Sequence, residues 1–267
     1  MAYQDIIVKK EDNIATITFN RPAALNAFTT TTMTEVAQAL EDIADDGDIR
    51  VLILTGAGRA FCAGADVRVE KGGEREIGEM RPELIRQHLR RTVQKVTQGI
   101  RGLEIPTIAM VNGPAAGGGF DWCLACDMRI GSENSRFKVA FTSLAVVSPD
   151  GSLWLLPRIV GESKAMELVF TDNLIFAQEA KDLGILNRLV PHDQLQEETL
   201  ALARQIAEGP PTALKLAKLL ITKGMRMDWD TAVEFAATAQ TINLPSRDHK
   251  EGADAFREKR KPTFNGF

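Results

Sequence analysis

Two short apolar runs, 51–55 (VLILT) and 107–111 (TIAMV), each empty directly into a glycine-rich loop, and that recurrence restricts the fold more than any other feature of the chain. The first run is too uniformly hydrophobic for a strand with one wet face, so it predicts a strand in a sheet covered on both sides. The loop after it, Gly56-Ala57-Gly58-Arg59-Ala60-Phe61-Cys62-Ala63-Gly64-Ala65-Asp66, is rich in small residues, which lets backbone N–H groups approach a ligand unobstructed. It is not a dinucleotide-binding turn, because that spacing would need glycine at Phe61, and no phosphate-loop pattern occurs anywhere in the chain. The second loop, Asn112-Gly113-Pro114-Ala115-Ala116-Gly117-Gly118-Gly119, runs into a predicted helix over 120–125. Unpaired amides at that helix start favour a negatively charged oxygen. Three successive glycines are costly there unless a ligand or another backbone must come close; tight helix packing is the alternative reason for them.

Around these loops the pattern is that of an α/β protein. Runs at 5–9 and 14–20 flank Glu11-Asp12-Asn13 and read as a hairpin. Between 30 and 44, Met33, Val36, Ala37, Leu40 and Ile43 recur at helical spacing, with threonines available as caps. A polar helical stretch over 82–101 precedes the second apolar run. A strand-like piece at 127–131 leads through Phe137 to a loop containing Ser148-Pro149-Asp150-Gly151 and on to 153–156. Strands alternate with helices, which is the α/β signature. Beyond Pro191, segments 194–208, 211–224, 230–242 and 246–259 all read as helices, dividing the chain into an α/β core over 1–195 and a helical part over 196–267.

Bulk properties narrow the partners. A net charge of -4 argues against a broad nucleic-acid surface, so an anionic ligand must be met by a local pocket. No apolar run approaches the roughly 20 residues of a membrane helix, and the first residues carry neither a signal-peptide core nor an Arg-rich transit pattern, which predicts a cytoplasmic protein without membrane contact. Cys62, Cys123 and Cys126 are an odd number in a long chain, which fits reduced thiols.

Taken together, the two loops resemble the enoyl-CoA hydratase/isomerase (crotonase) superfamily, and the match extends along essentially the whole chain. It runs through Asn20-Arg21-Pro22 with Ala24-Leu25-Asn26-Ala27, then Ala60-Phe61-Cys62-Ala63-Gly64-Ala65-Asp66, and Asn112-Gly113 with Ala116-Gly117-Gly118-Gly119. It continues in Leu156-Pro157-Arg158-Ile159-Val160-Gly161, Ala180-Lys181-Asp182-Leu183-Gly184 and Phe256-Arg257-Glu258-Lys259-Arg260. The resemblance implies a crotonase-like spiral of ββα units, a helical C-terminal trimerisation part, and a homotrimer or dimer of trimers. It also implies an acyl-CoA substrate, with coenzyme A arriving as part of the substrate and no separate cofactor. By position, the N–H groups of Ala65 and Gly118 would form an oxyanion hole, flanked by Ala63, Gly64, Asp66 and Gly117 and by Ala24 and Leu25. Phe256 and Lys259 match residues that approach the nucleotide end of the coenzyme, commonly across a subunit contact, and Arg68 is a further phosphate candidate.

Which reaction follows depends on the acids. A hydratase of this family resembles a two-carboxylate machine; here its first acid position holds Asp121 and its second holds Phe141, which can neither activate water nor deliver a proton. Asp150 resembles the single aspartate of the branch that shifts double bonds in enoyl-CoA substrates. Counted from Ala140-Phe141-Thr142, that aspartate falls on Pro149, and a one-residue shift within the loop restores Asp150. The expected function is therefore double-bond isomerisation through a dienolate, with Asp150 as acid and base. Alternatives are hydration using Asp121, aspartate-nucleophile chemistry with Trp154 or Trp122 in an aromatic cage, and a non-catalytic acyl-CoA-binding or RNA-binding role. A structural Pro-Asp-Gly turn is the bland account of Asp150, and a first-turn helix acid that of Asp121. His88 does not fall where a partnering histidine is expected; Gln94 lies nearest by spacing. Pocket walls are expected from the weakly patterned stretch 70–98.

Three further signals have plainer accounts. Cys123-Leu124-Ala125-Cys126 has no second cysteine pair and the three histidines are scattered, so metal binding is not expected and two small buried helix residues are. The cationic end Arg257, Lys259, Arg260, Lys261 fits a solvated helix terminus as well as a phosphate contact. Met225 and Met227 near Trp229 fit core or subunit packing.

Overall fold

In the computed structural model, which describes residues 3–68 and 79–266, the opening hairpin forms as expected. β1 (Ile6–Glu11) and β2 (Ile14–Phe19) pair antiparallel, and Asp12 and Asn13 turn the chain with positive φ at both positions. Short polar side chains tolerate that conformation, and the resulting twist matches that of the strands. Helix α1 (Thr30–Ala44) starts at Thr29, whose hydroxyl accepts from Thr32 N–H while the Thr32 hydroxyl accepts from Thr29 N–H. Its buried stripe contains the five apolar residues read from the periodicity.

Strand β3 (Val51–Gly56) is buried throughout, between β2 and β4 (Thr107–Val111). Leu52 and Leu54 enter the large core beneath α1, whereas Val51 and Ile53 face a second cluster with Leu195, Ala203 and Ala207 of α8 (Leu195–Ala207). Coverage of both faces is why this strand lacks polar alternation. β6 (Met128–Ser132) and β9 (Arg188–Val190) complete a six-stranded sheet in the order β1-β2-β3-β4-β6-β9, parallel except for the opening hairpin. A smaller sheet joins β5 (Pro114–Ala116), β7 (Arg136–Lys138) and β8 (Ile175–Phe176), with Cys62 bridged to Ala115 at its edge. Successive units thus place a long strand in the first sheet and a short extended piece in the second, a two-layer spiral.

The predicted helix over 82–101 is two helices, α2 (Pro82–His88) and α3 (Gln94–Gly102), joined by a π-type turn at Leu89–Val93. Helix α4 (Gly118–Ala125) begins two residues before the expected 120, because Phe120 and Asp121 N–H groups both bond to the Gly117 carbonyl, at 2.9 and 3.0 Å. All its residues are buried, consistent with an apolar sequence on every side. Residues 153–156 lie in α5 (Ser152–Val160), followed by α6 (Glu162–Thr171) and α7 (Ala177–Asp182). After α8 come α9 (Pro211–Gly224), α10 (Trp229–Asn243) and α11 (Arg247–Glu258). These last three bury very few residues within the chain and expose Ile221, Met225, Trp229, Val233 and Ile242. Among the described residues no helix is long and apolar enough to cross a membrane.

Candidate active site

Parallel pairing in which Leu54 faces Ala109 brings the carboxyl ends of β3 and β4 side by side, so both glycine-rich loops leave the same sheet edge. Two buried asparagines lace the first loop. Asn112 donates to the carbonyls of Gly56 and Gly58, each at 2.8 Å, while Asn26 donates to those of Ala57 and Ala60 at 2.9 and 2.7 Å. Further along, Ala63 N–H bonds the Leu25 carbonyl, and Phe28 exchanges bonds with Gly64 and Asp66. Arg21 reaches Asp66 at 3.1 Å and Asp5 at 3.7 Å, which fixes the far end.

The two loops meet through their glycines. Cys62 N–H donates to the Pro114 carbonyl and its own carbonyl accepts from Ala116 N–H, at 3.1 and 3.0 Å. A Cβ on Gly64 would lie 2.9 Å from the Ala116 carbonyl oxygen, and one on Gly119 would lie 2.2 Å from that of Cys62. Close backbone approach is therefore one requirement behind the glycine triplet. Among the described residues neither Ala65 N–H nor Gly118 N–H has an acceptor, and both residues border one cavity of about 850 Å³. Phe28, Met33, Leu89, Val93, Val146 and Val147 supply much of its apolar wall.

Two carboxyls border the same cavity. Asp121 and Asp150 are both buried; Ser148 donates to Asp121 Oδ2 at 2.8 Å and accepts from Asp150 N–H at 3.3 Å, so one hydroxyl spans the pair. Asp150 Oδ2 lies 3.8 Å from where a Cβ on Gly118 would stand, and among the described residues neither Asp150 oxygen has a hydrogen-bond partner. Burial pushes Asp121 up to about 6. Burial and, second to it, the neighbouring Asp121 push Asp150 up to about 8. Acids poised near neutrality in a cavity suit proton transfer.

The cavity wall thus gathers Ala63, Gly64, Ala65, Asp66, Gly117, Gly118, Asp121, Phe141 and Asp150 from the residues singled out in the sequence. Ala24 and Leu25 do not line it; the Leu25 carbonyl accepts from Ala63 N–H and so supports the loop that does. Arg68 pairs with Asp66 at 2.9 Å, and its guanidinium holds that carboxyl down at about 2. Trp154 does not line the cavity: it lies on α5, with Arg158 at 3.7 Å and Arg226 at 4.8 Å over its ring. Phe256 and Lys259 also lie away from it, at the end of α11, where Phe256 is 85 % exposed. Of the expected wall stretch 70–98, residues 70–78 fall outside the described residues; His88, Leu89 and Val93 line the cavity. His88 therefore joins the site, while Gln94, favoured by spacing, donates to the Pro149 carbonyl at 2.8 Å and braces the aspartate loop. The π-type turn after His88 carries Leu89 and Val93 into the wall, and no sequence periodicity marks such a turn. All three cysteines are buried free thiols, and burial pushes Cys62 and Cys123 up to about 12.

Known proteins share this fold and sequence pattern. The family model for enoyl-CoA hydratase/isomerase matches residues 9–266. The chain is 37% identical to the short-chain-enoyl-CoA hydratase of Clostridium acetobutylicum, covering 100% of this chain and 99% of that one. It is 33% identical to the 1,2-epoxyphenylacetyl-CoA isomerase of Escherichia coli, with 98% of each covered. An enoyl-CoA hydratase crystal structure from Bacillus anthracis superposes with a TM-score of 0.91 at 34% identity, over 99% of this chain and 100% of the other. The chain belongs to the enoyl-CoA hydratase/isomerase family.

Proposed function

We propose that the protein shifts the double bond of an enoyl-CoA thioester, with Asp150 carrying the proton and the N–H groups of Ala65 and Gly118 holding the thioester oxygen. The observation behind this reading is the position of Asp150, whose unpartnered carboxyl borders the cavity beside Gly118. Removing a proton from the acyl chain throws negative charge onto the thioester oxygen. Preorganised amides at that point are worth about 2.7–4 kcal/mol per donor. The acid so formed can return its proton at the other end of the dienolate, and a group that titrates near neutrality serves both steps. Coenzyme A arrives as part of the substrate. In a homotrimer or dimer of trimers, the exposed Phe256 and Lys259 would meet the nucleotide end held by a neighbouring subunit.

Hydration is the second reading, favoured by Asp121, a buried acid joined to Asp150 through Ser148. Relatives carry both kinds of name, hydratase and isomerase. Incubation with 2-enoyl and 3-enoyl thioesters in deuterated water separates the readings. Isomerisation moves the double bond and exchanges α or γ protons, and Asp150→Asn abolishes both. Ready hydration that survives Asp150→Asn would transfer the role to Asp121, and an absence of all exchange would leave only binding.

A further inference from the structure

We propose that the indole N–H of Trp122 and the hydroxyl of Thr97 are positioning donors for Asp150, closing on its carboxylate when it gives up its proton. This rests on the reading of Asp150 as the acid and base. Trp122 and Thr97 are buried, yet among the described residues neither Nε1 nor Oγ1 has a hydrogen-bond partner, and both oxygens of Asp150 are likewise unpartnered. Buried tryptophan N–H groups normally find an acceptor, so such an exception needs a reason. Here two donors and one acceptor with unmet capacity sit together.

Their convergence follows from two helices. Gly118 and Trp122 are one turn apart on α4 and share a face, and Asp150 Oδ2 lies over the Gly118 position at 3.8 Å. Thr97 stands one turn after Gln94 on α3, and Gln94 holds the carbonyl of Pro149, the residue before Asp150. Both faces therefore address the same carboxyl. Its electrostatics agree: burial and Asp121 favour the protonated acid, while Thr97 and Trp122 pull the other way. Among the described residues, the other titratable groups bordering the pocket are Asp121 on α4, tied to Ser148, His88 at the end of α2, and Asp66, ion-paired with Arg21 and Arg68. Trp122 is itself clamped, stacked on Phe28 at 4.6 Å and tilted against Phe19 at 5.4 Å. A donor so held keeps its direction without reorganising when charge appears.

The test compares Trp122→Phe, Thr97→Val and the double variant with wild type in enoyl-CoA turnover across pH 6 to 10. Loss of a donor makes the carboxylate harder to form, so the rising limb of kcat should move up by about one pH unit per donor, a tenfold loss at pH 7. KM should stay within about twofold, and kcat should recover towards the wild-type plateau at high pH, which mere distortion of the site would prevent. Rising limbs that coincide with wild type, or losses equal at every pH, would overturn the proposal. Thr97→Val alone decides the matter if Trp122→Phe does not accumulate as folded protein. Full activity in Asp150→Asn would instead remove the reading beneath it, whatever the donor variants do.

Discussion

Replacing Asp150 by asparagine should kill the enzyme and stabilise the fold, and the size of the second effect can be worked out. The carboxyl titrates near 3.8 in an unfolded chain and near 8 in the folded one, burial being the main cause. At pH 7 the unfolded state has released that proton and the folded state mostly retains it, so each pH unit above 3.8 costs about 1.4 kcal/mol. The difference from 3.8 to 7 is 3.2 units, or about 4 kcal/mol. The sign follows from the raised folded value: the wild type has its full stability below pH 3.8 and loses it as pH rises through about 8. Asparagine keeps the shape without the titration, so the stability gap between variant and wild type should open steadily from pH 4 to 8 and then level off. Urea unfolding of both proteins at equal protomer concentration and several pH values measures it. A gap that stays flat from pH 4 to 8 would show that Asp150 is solvated, and the reasoning for its catalytic role would lose its physical basis.

Gly119→Ala should cost about 3 kcal/mol or prevent folding, because its Cβ would stand 2.2 Å from the Cys62 carbonyl oxygen; Gly224→Ala, with nothing within 4 Å, serves as the urea-unfolding control and should be near neutral. Native protein should resist iodoacetamide at all three cysteines and take up three labels after unfolding, since burial holds Cys62 and Cys123 up at about 12 and raises Cys126; mass spectrometry counts them. Trp229→Glu, placed on the 79 % exposed ring at the start of α10, should shift sedimentation from a trimer or hexamer towards monomer, and a monomeric wild type would refute the assembly.

What the sequence discloses about this protein depends on how regular the physics is at each place. Strand β3 and helix α1 were legible because burial on two faces, or on one stripe, leaves a periodic mark in the residues themselves. The glycines at 64 and 119 were legible as close approach, since only a missing Cβ lets Gly119 meet the Cys62 carbonyl. Asp150 was not placed by counting, because its loop bends through Ala145 at φ 56° and Gly151 at φ 103°, where residue number no longer measures distance. Trp154 lies away from the cavity for a related reason: α5 begins at Ser152, and helical geometry turns that ring towards Arg158. Phe256 and Lys259 could be assigned only by resemblance, since among the described residues none of α11 lines the cavity. Sequence spacing proved most informative inside α4. Once Gly117 sets its first turn, a helix of eight residues delivers the Gly118 amide, the Asp121 carboxyl and the Trp122 indole to one buried corner, at offsets of three and four. Those offsets turn a costly glycine triplet into the fixed point from which the acids, and the donors beside them, are aimed.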